Sequence, residues 1–231
     1  MATIVRAVSL DLDNTLWDTE PVLRRAEEAL AAWLVLHAPR LAASFGGESL
    51  RRMRAELAHE APERCHDLSW LRTETLRRAA AASGYPATLA EQAFQVFLAA
   101  RNAIEPYADV RPALARLARR VPLYALTNGN ACVHRVGIGG YFTGALDAAA
   151  AGAAKPDPRI YAQLVALAAV PAATILHVGD DAITDVHGAR AAGLATAWIN
   201  RDGAAWPAAV TRADYEVDNL AALAQLVESL A

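Results

Sequence analysis

Short apolar runs alternate with helical patterns through the second half of the chain. Runs such as Ala7–Leu10 are typical of buried strands when they stand at the head of such an alternation. Further strands are predicted at Pro122–Leu126, Gly144–Ala148, Thr174–Val178, Leu194–Ile199 and Tyr215–Val217. Helices are predicted between them, at Pro112–Arg120, Pro158–Ala169 and Asp185–Ala192. Alternating strands and helices predict an α/β fold in which a parallel sheet carries helices on both faces.

A different pattern fills the interval between the first two strands. From Pro21 to about Asn102 the apolar positions recur at helical spacing, and no strand is indicated. Four helices are predicted, beginning at Pro21, Glu48, Asp67 and Thr88, with Gly84 ending the third and Thr88 opening a capping box with Glu91. The expected organisation is a core of residues 1–17 and 104–231, with residues 18–103 inserted as a helical domain.

Bulk properties narrow the range of functions. The chain has 231 residues and a formal charge of −3, which gives no general reason to expect nucleic acid or an anionic membrane as a partner. No apolar segment predicts a signal peptide or a membrane span. Cys65 and Cys132 lack metal-site spacing, so free thiols and a reducing cytoplasm are expected.

Polar clusters follow three of the predicted strands. Asp11 and Asp13 follow the first, Thr127–Asn130 follows the second, and Gly179–Asp181 with Asp185 follows Thr174–Val178. Each cluster alone is ordinary turn or helix-cap chemistry. Together they bring several carboxylates to one edge of a parallel sheet, where such sheets bind ligands. Lys155, in a predicted loop, stands opposite them.

This set of side chains suits phosphoryl transfer to an aspartate. Mg²⁺ prefers oxygen ligands and is typically held by one or two carboxylates plus a substrate phosphate, so Asp11 and Asp180 are candidate ligands. A free oxygen of Asp11 can then attack phosphorus. Lys155, Thr127 and the amides after Thr127 can balance the charge of the transferred group. Asp13 can protonate the leaving alkoxide and later activate water.

The four motifs Asp11–Thr15, Thr127–Asn128, Lys155–Pro156 and Gly179–Asp185 resemble, in this order, those of the haloacid dehalogenase superfamily. The resemblance implies a Rossmann-like core, with Asp11 as nucleophile and Asp13 as acid/base that also offers its backbone carbonyl to Mg²⁺. It implies Asp180 and Asp185 as the remaining metal-site acids, and Thr127, Asn128 and Lys155 as phosphate-binding residues. The helical insertion resembles the mobile cap of the first subfamily.

Asp13 discriminates between reactions within that superfamily. The resemblance implies a phosphatase or phosphomutase, because dehalogenases of this fold carry tyrosine at the corresponding place. A closer resemblance, which includes the cap, is to bacterial phosphatases acting on flavin mononucleotide and on the ribitylaminouracil phosphate of riboflavin synthesis. Trp17, Trp70 and Arg72 are candidate surfaces for a planar ring and a ribityl chain. Core packing for Trp70 and solvation for Arg72 are the competing interpretations.

The expected function is therefore Mg²⁺-dependent hydrolysis of a small-molecule phosphate ester by a monomer or homodimer. A phosphomutase shares the acid/base Asp13 and is the second interpretation. A phosphate-binding protein without turnover is the third, although such a protein has no need of a nucleophile.

Overall fold

The computed structural model describes residues 4–230, which contain one six-stranded sheet with the spatial order β3-β2-β1-β4-β5-β6. All neighbouring strands are parallel. Their bounds are β1 Ala7–Leu10, β2 Leu123–Thr127, β3 Gly144–Asp147, β4 Ile175–Gly179, β5 Ala195–Ile199 and β6 Tyr215–Val217. The predicted strands are therefore confirmed, with ends shifted by at most one residue.

Five of the helices between β1 and β2 lie in the inserted segment. Their bounds are α1 Thr19–His37, α2 Pro39–Ser44, α3 Gly47–Glu60, α4 Leu68–Ala82 and α5 Thr88–Asn102, and a short 3₁₀ turn covers Pro62–Arg64. Gly84 has a positive φ of 73°, as expected for the residue that ends α4. The capping box is wrong, because Ala87 is the N-cap of α5 and no side chain caps it.

The remaining helices connect the later strands. Their bounds are α6 Val110–Leu117, α7 Ala148–Ala151, α8 Pro158–Ala168, α9 Gly188–Ala191 and α10 Leu220–Leu230, and a π-helix covers Ala182–His187. Asp157 caps α8 by accepting a hydrogen bond from Arg159 N, and Pro158 is its first residue, as the sequence predicts.

Both faces of the sheet are covered. Ala7 and Ile175 pack with residues of α8 and α9 on one face. Val8 and Leu10 point to the opposite face and are also fully buried. In the same unit α6 packs against α10. The predicted α/β fold with a parallel sheet, flanking helices and an inserted helical segment is confirmed.

The chain divides into two compact units. One unit contains the residues up to Asp18 and those from Glu105 onward, and the other contains Thr19–Ile104. The helical unit has an apolar core of its own, drawn from α1 to α5 and including Leu30, Leu76 and Phe97. Each unit therefore has the buried apolar surface that a domain requires.

Candidate active site

The carboxyl ends of β1, β2 and β4 lie at the switch point of the sheet. From β1 the chain adds β2 and β3 on one side, and β4, β5 and β6 then follow on the other side. Asp11 directly follows β1, and its N–H donates to Val178 O of β4 over 2.9 Å. Thr127 is the last residue of β2, and Asp180 directly follows β4. Ligands of open α/β sheets bind at this switch point. The sequence-predicted residues of the core are therefore brought to one place.

Lys155 is a buried ammonium group shared by two buried carboxylates. Its Nζ donates to Asp11 Oδ1 and to Asp185 Oδ1, and each distance is 2.6 Å. Burial acts to lower the pKa of Lys155, but the two carboxylates hold that pKa above its usual value. Lys155 is therefore a fixed positive charge at neutral pH.

The loop of Lys155 is fastened by Asn128. Asn128 Oδ1 accepts from Lys155 N over 2.7 Å, and Asn128 Nδ2 donates to Lys155 O over 2.9 Å. Both polar atoms of the side chain are thus engaged with the backbone of Lys155. The side chain therefore positions Lys155, and its expected contact with substrate stays a prediction.

Three carboxylates lie close enough to share a cation. Asp11, Asp180 and Asp185 each offer an oxygen, and these oxygens lie within 4.8 Å of one another. Thr15 Oγ1 bridges two of them, at 3.4 Å from Asp11 Oδ2 and 3.3 Å from Asp180 Oδ1. Burial and the neighbouring Asp185 raise the pKa of Asp180 to about 6, and burial also raises the pKa of Asp11 above its usual value. A hard divalent cation would relieve both costs, so the donor set fits such an ion.

Asp185 has the most firmly held carboxylate of the group. Its Oδ1 accepts from Lys155 and lies 3.3 Å from His177 Nε2, while its Oδ2 accepts from Asp181 N over 3.0 Å. Burial acts to raise the pKa of Asp185, but Lys155 and His177 hold it below its usual value. Asp185 therefore stays ionised.

The backbone around Asp185 is specialised to admit it. A Cβ on Gly179 would lie 2.2 Å from Asp185 Cγ, so only glycine fits at the end of β4. Asp181 Oδ1 accepts from Ile183 N and Thr184 N at the start of the π-helix that carries Asp185. Short π-helical segments occur frequently at functional sites.

Asp13 lies outside the carboxylate cluster. It is half-buried, and its Oδ1 accepts from Trp17 Nε1 over 2.9 Å. Asp13 was included among the expected metal ligands, and the cluster of side-chain oxygens does not contain it. The resemblance implies that Asp13 reaches Mg²⁺ through its backbone carbonyl, and that role stays a prediction.

Trp17, Trp70 and Arg72 are the candidate residues for binding a planar ring and a ribityl chain, and two of them are buried. Trp17 is fully buried, so the interpretation that its ring binds a planar substrate is wrong in this structure. Arg72 is buried in the helical unit, where it pairs with Glu27 over 2.9 Å and lies 3.5 Å above the centroid of Phe97. Arg72 is therefore neither a solvated arginine nor part of an open binding surface. Trp70 is half-buried, and the guanidinium of Arg64 covers its ring at 4.2 Å.

Sequence reasoning missed three contacts of the site. Trp198 Nε1 donates to Asp180 O over 2.7 Å, which fixes the backbone that carries this carboxylate. His177 is expected to be a hydrogen-bonded core residue, but its partners, Ser9 and Asp185, are not predicted. Both Ser9 and His177 lie inside apolar strands, and only their pairing across the sheet brings them together.

The profile of the haloacid dehalogenase-like hydrolase family matches residues 5–193 of this chain. The chain therefore belongs to the haloacid dehalogenase-like hydrolase family. It is an enzyme of the hydrolase class, as the four motifs indicate. In the part of the chain that the structure describes, no helix is both long and apolar enough to cross a membrane.

Proteins similar to this chain include phosphatases and a structure titled a haloacid dehalogenase. The chain is 35% identical over 199 residues to the 5-amino-6-(5-phospho-D-ribitylamino)uracil phosphatase YigB of Escherichia coli, covering 84% of this chain and 83% of that protein. It is 30% identical over 208 residues to the human N-acylneuraminate-9-phosphatase, covering 86% and 84%. A crystal structure titled 2-haloacid dehalogenase, from Pseudomonas syringae pv. Tomato DC3000, is 38% identical with a TM-score of 0.94, covering 99% of this chain and all of that one. The phosphatase relatives support the enzyme class predicted from the sequence.

Proposed function

We propose that this protein is a Mg²⁺-dependent phosphatase that hydrolyses a small phosphate monoester through a phosphorylated Asp11. The observation that carries the proposal is the environment of the Asp11 carboxylate. One of its oxygens is held by Lys155 at 2.6 Å, and the other lies 3.4 Å from the hydroxyl of Thr15 at the mouth of the switch point. An anionic nucleophile that is both oriented and partly neutralised suits attack on a phosphate.

Asp11, Asp180 and Asp185 would hold the magnesium ion, together with the backbone carbonyl of Asp13. When bound, Mg²⁺ supplies charge neutralisation between these carboxylates and the incoming phosphate. Two of the three carboxylates have raised pKa values in the protein alone, which is the electrostatic cost that a divalent cation removes.

The reaction divides into two steps at phosphorus. In the first, an oxygen of Asp11 forms a bond to phosphorus while the bond to the leaving alkoxide breaks, and Asp13 gives that alkoxide a proton. In the second, water attacks the aspartyl-phosphate, Asp13 takes the proton of the water, and orthophosphate and free Asp11 result.

Charge on the transferred phosphoryl group is balanced from the opposite side. Lys155 contributes its ammonium group. The hydroxyl oxygen of Thr127 accepts from Gly129 N over 2.9 Å, which directs its own hydrogen toward a phosphate oxygen. The backbone amide of Asn128 supplies a further donor to the phosphate.

The substrate we propose is flavin mononucleotide or the ribitylaminouracil phosphate of riboflavin synthesis, hydrolysed in the cytoplasm. This choice is supported by the 35% identity to YigB over most of both chains. Asp13 supports a phosphatase over a dehalogenase, although the 38% identical structure is titled a haloacid dehalogenase and makes dehalogenation the second candidate. A phosphomutase would return an isomer of the substrate and little free phosphate.

The test is a comparison of substrates by kcat/KM with the purified protein. Phosphate release from p-nitrophenyl phosphate, flavin mononucleotide, the ribitylaminouracil phosphate and a hexose phosphate is measured with Mg²⁺ and with EDTA, and chloride release from 2-chloropropionate is measured beside it. We expect phosphate release that requires Mg²⁺ and is fastest with a ribityl phosphate. Chloride release without phosphate release would identify a dehalogenase, and a folded protein without either activity would overturn the proposal.

A further inference from the structure

Ser9, His177 and Asp185 form a line of hydrogen bonds through the interior of the sheet. Ser9 of β1 and His177 of β4 are partners in the parallel register, and His177 Nδ1 lies 3.0 Å from Ser9 Oγ. On the other side of the ring, Nε2 lies 3.3 Å from Asp185 Oδ1. We propose that His177 is a positioning residue for the cation site, holding the Asp185 carboxylate in the orientation that binds a divalent metal, and that Ser9 orients His177.

The directions of these hydrogen bonds follow from the chemistry of the partners. An ionised carboxylate only accepts, so Nε2 carries the hydrogen and donates to Asp185. In a neutral ring that carries its hydrogen on Nε2, Nδ1 is the acceptor. The hydroxyl of Ser9 therefore donates to Nδ1 and selects this tautomer. The sheet backbone fixes both residues, and the edge of His177 also meets the ring of Tyr161 at 5.8 Å.

The contact matters because Lys155 pulls on the same oxygen of Asp185. Lys155 lies 2.6 Å from Asp185 Oδ1 and 2.6 Å from Asp11 Oδ1, so it draws the two carboxylates toward itself. His177 opposes this pull from the sheet side, and Asp181 N fixes the other oxygen of Asp185. Without His177 the carboxylate is free to turn toward Lys155, and the separation of its oxygens from Asp180 is no longer fixed.

Groups that hydrogen-bond to metal-binding carboxylates commonly contribute about 10- to 100-fold to metal affinity. The inference rests on the proposed function only in taking Asp11, Asp180 and Asp185 as the cation site. It assigns no part in bond making to His177. The effect should therefore be seen in metal binding without any substrate.

The test measures Mn²⁺ binding by the electron paramagnetic resonance signal of the free ion, in His177→Leu, His177→Gln and Ser9→Ala. Leucine removes the donor, whereas the amide nitrogen of glutamine reaches the place of Nε2. We expect His177→Leu to weaken Mn²⁺ binding by about 10-fold or more. His177→Gln should restore most of the affinity, and Ser9→Ala should give an intermediate loss because the tautomer is no longer selected.

Thr75→Val is the matched control, because Thr75 is another buried hydroxyl residue, and its hydroxyl donates to Leu71 O within α4 of the helical unit. It should bind Mn²⁺ as the unaltered protein does, even if its melting temperature falls. Unchanged Mn²⁺ binding in His177→Leu, or glutamine as weak as leucine, would overturn the inference. If His177→Leu does not fold, unchanged binding in Ser9→Ala does the same.

Mn²⁺ binding is measured without substrate, so the positioning role of His177 can fail independently of the proposed phosphatase function. A protein that binds Mn²⁺ in a His177-dependent manner but releases no phosphate would retain the positioning role and lose the phosphatase. A protein that releases phosphate with Mg²⁺ but binds Mn²⁺ independently of His177 would retain the phosphatase function and lose the positioning role.

Discussion

Two carboxylates and one ammonium group share the interior of the site, and their charges do not cancel. Lys155 stands between Asp11 and Asp185, and Asp180 adds a further acid nearby. Burial of an uncompensated carboxylate costs free energy. Asp11 is therefore costly to the fold in the absence of a cation, which is a common property of residues retained for chemistry.

Replacing Asp11 by asparagine separates its chemical role from its structural cost. We expect Asp11→Asn to lower kcat by about 10⁴-fold or more, because the amide is a poor nucleophile. Its melting temperature without metal should equal or exceed that of the unaltered protein, since Lys155 keeps Asp185 as a partner. Phosphate-release kinetics and thermal unfolding check the two parts, and near-normal turnover would contradict the assignment of the nucleophile.

The raised pKa of Asp180 predicts a dependence of stability on pH. Its pKa rises from 3.8 to about 6 on folding, mainly through burial. A raised pKa means that the folded state holds the proton more firmly, so the stabilisation is present below about pH 4 and is lost as the pH rises through 6. In EDTA, the free energy of unfolding relative to Asp180→Asn should fall between pH 4 and pH 7. Urea unfolding of both proteins at several pH values measures it, and a parallel pH dependence of the two would refute it.

Residue types in the sequence indicate where the charges of the site lie but not which large side chains stay open. Asp11, Lys155 and Asp180 are recognisable because strand ends and loops carry them to one edge of the sheet. Trp17 and Arg72 each suit a ligand surface or an interior, and local sequence does not distinguish the two. Only the folded structure decides the matter: Trp17 is fully buried, and Arg72 pairs with Glu27, 45 residues earlier in the sequence.

At the scale of elements, the loop after β1 is fixed by contacts distant in sequence. Arg201 Nε donates to Thr15 O over 3.1 Å, and its two terminal nitrogens donate to the carboxylate of Asp109. Asp109 Oδ2 also accepts from Leu220 N at the start of α10. The segment that carries Asp11 and Asp13 is thereby tied to the beginnings of α6 and α10.

Removing this tie should impair both stability and turnover. We expect Arg201→Met to lower the free energy of unfolding by about 2 kcal/mol, because the variant loses charged hydrogen bonds in a half-buried place. kcat should fall as the loop that holds Thr15 loosens. The matched control is Arg159→Met, whose bidentate partner Asp157 lies at the surface and which should change stability by about 0.5 kcal/mol or less. Equal effects of the two substitutions would count against the structural role of Arg201.

Element boundaries show why part of the fold was not predicted. Strands and long helices follow from periodicity, and Pro158 and Gly84 mark helix ends through local chemistry. The short helix α2 and the alanine-rich α7 carry too few apolar positions for a period to be seen. Only the second half of the π-helix at Ala182–His187 falls within the helix predicted over Asp185–Ala192, and the wider turn itself is not predicted.

At the scale of the whole molecule, the acids come from segments far apart in the sequence, between Asp11 and Asp185, and a helical unit is inserted between the first two strands. A ligand that bridges distant segments only in the folded state stabilises that state by mass action. We expect Mg²⁺ at about 100 times its Kd to add about 2.7 kcal/mol to the free energy of unfolding. Urea unfolding with Mg²⁺ and with EDTA measures the increment. Asp180→Asn should show a much smaller one, and an equal increment in both proteins would place the ion elsewhere.

The proposed mechanism requires that the phosphoryl group is transferred to the carboxylate of Asp11. The most direct measurement is mass spectrometry of the protein after acid quenching of a reaction with flavin mononucleotide and Mg²⁺. It is made on the unaltered chain, on Asp13→Asn, in which hydrolysis of the intermediate should be slowed, and on Asp11→Asn. We expect one added phosphoryl group on the peptide that contains Asp11, most abundant in Asp13→Asn and absent from Asp11→Asn. Turnover of flavin mononucleotide with no phosphorylated peptide in any of the three, or with the phosphate on another residue, would contradict it.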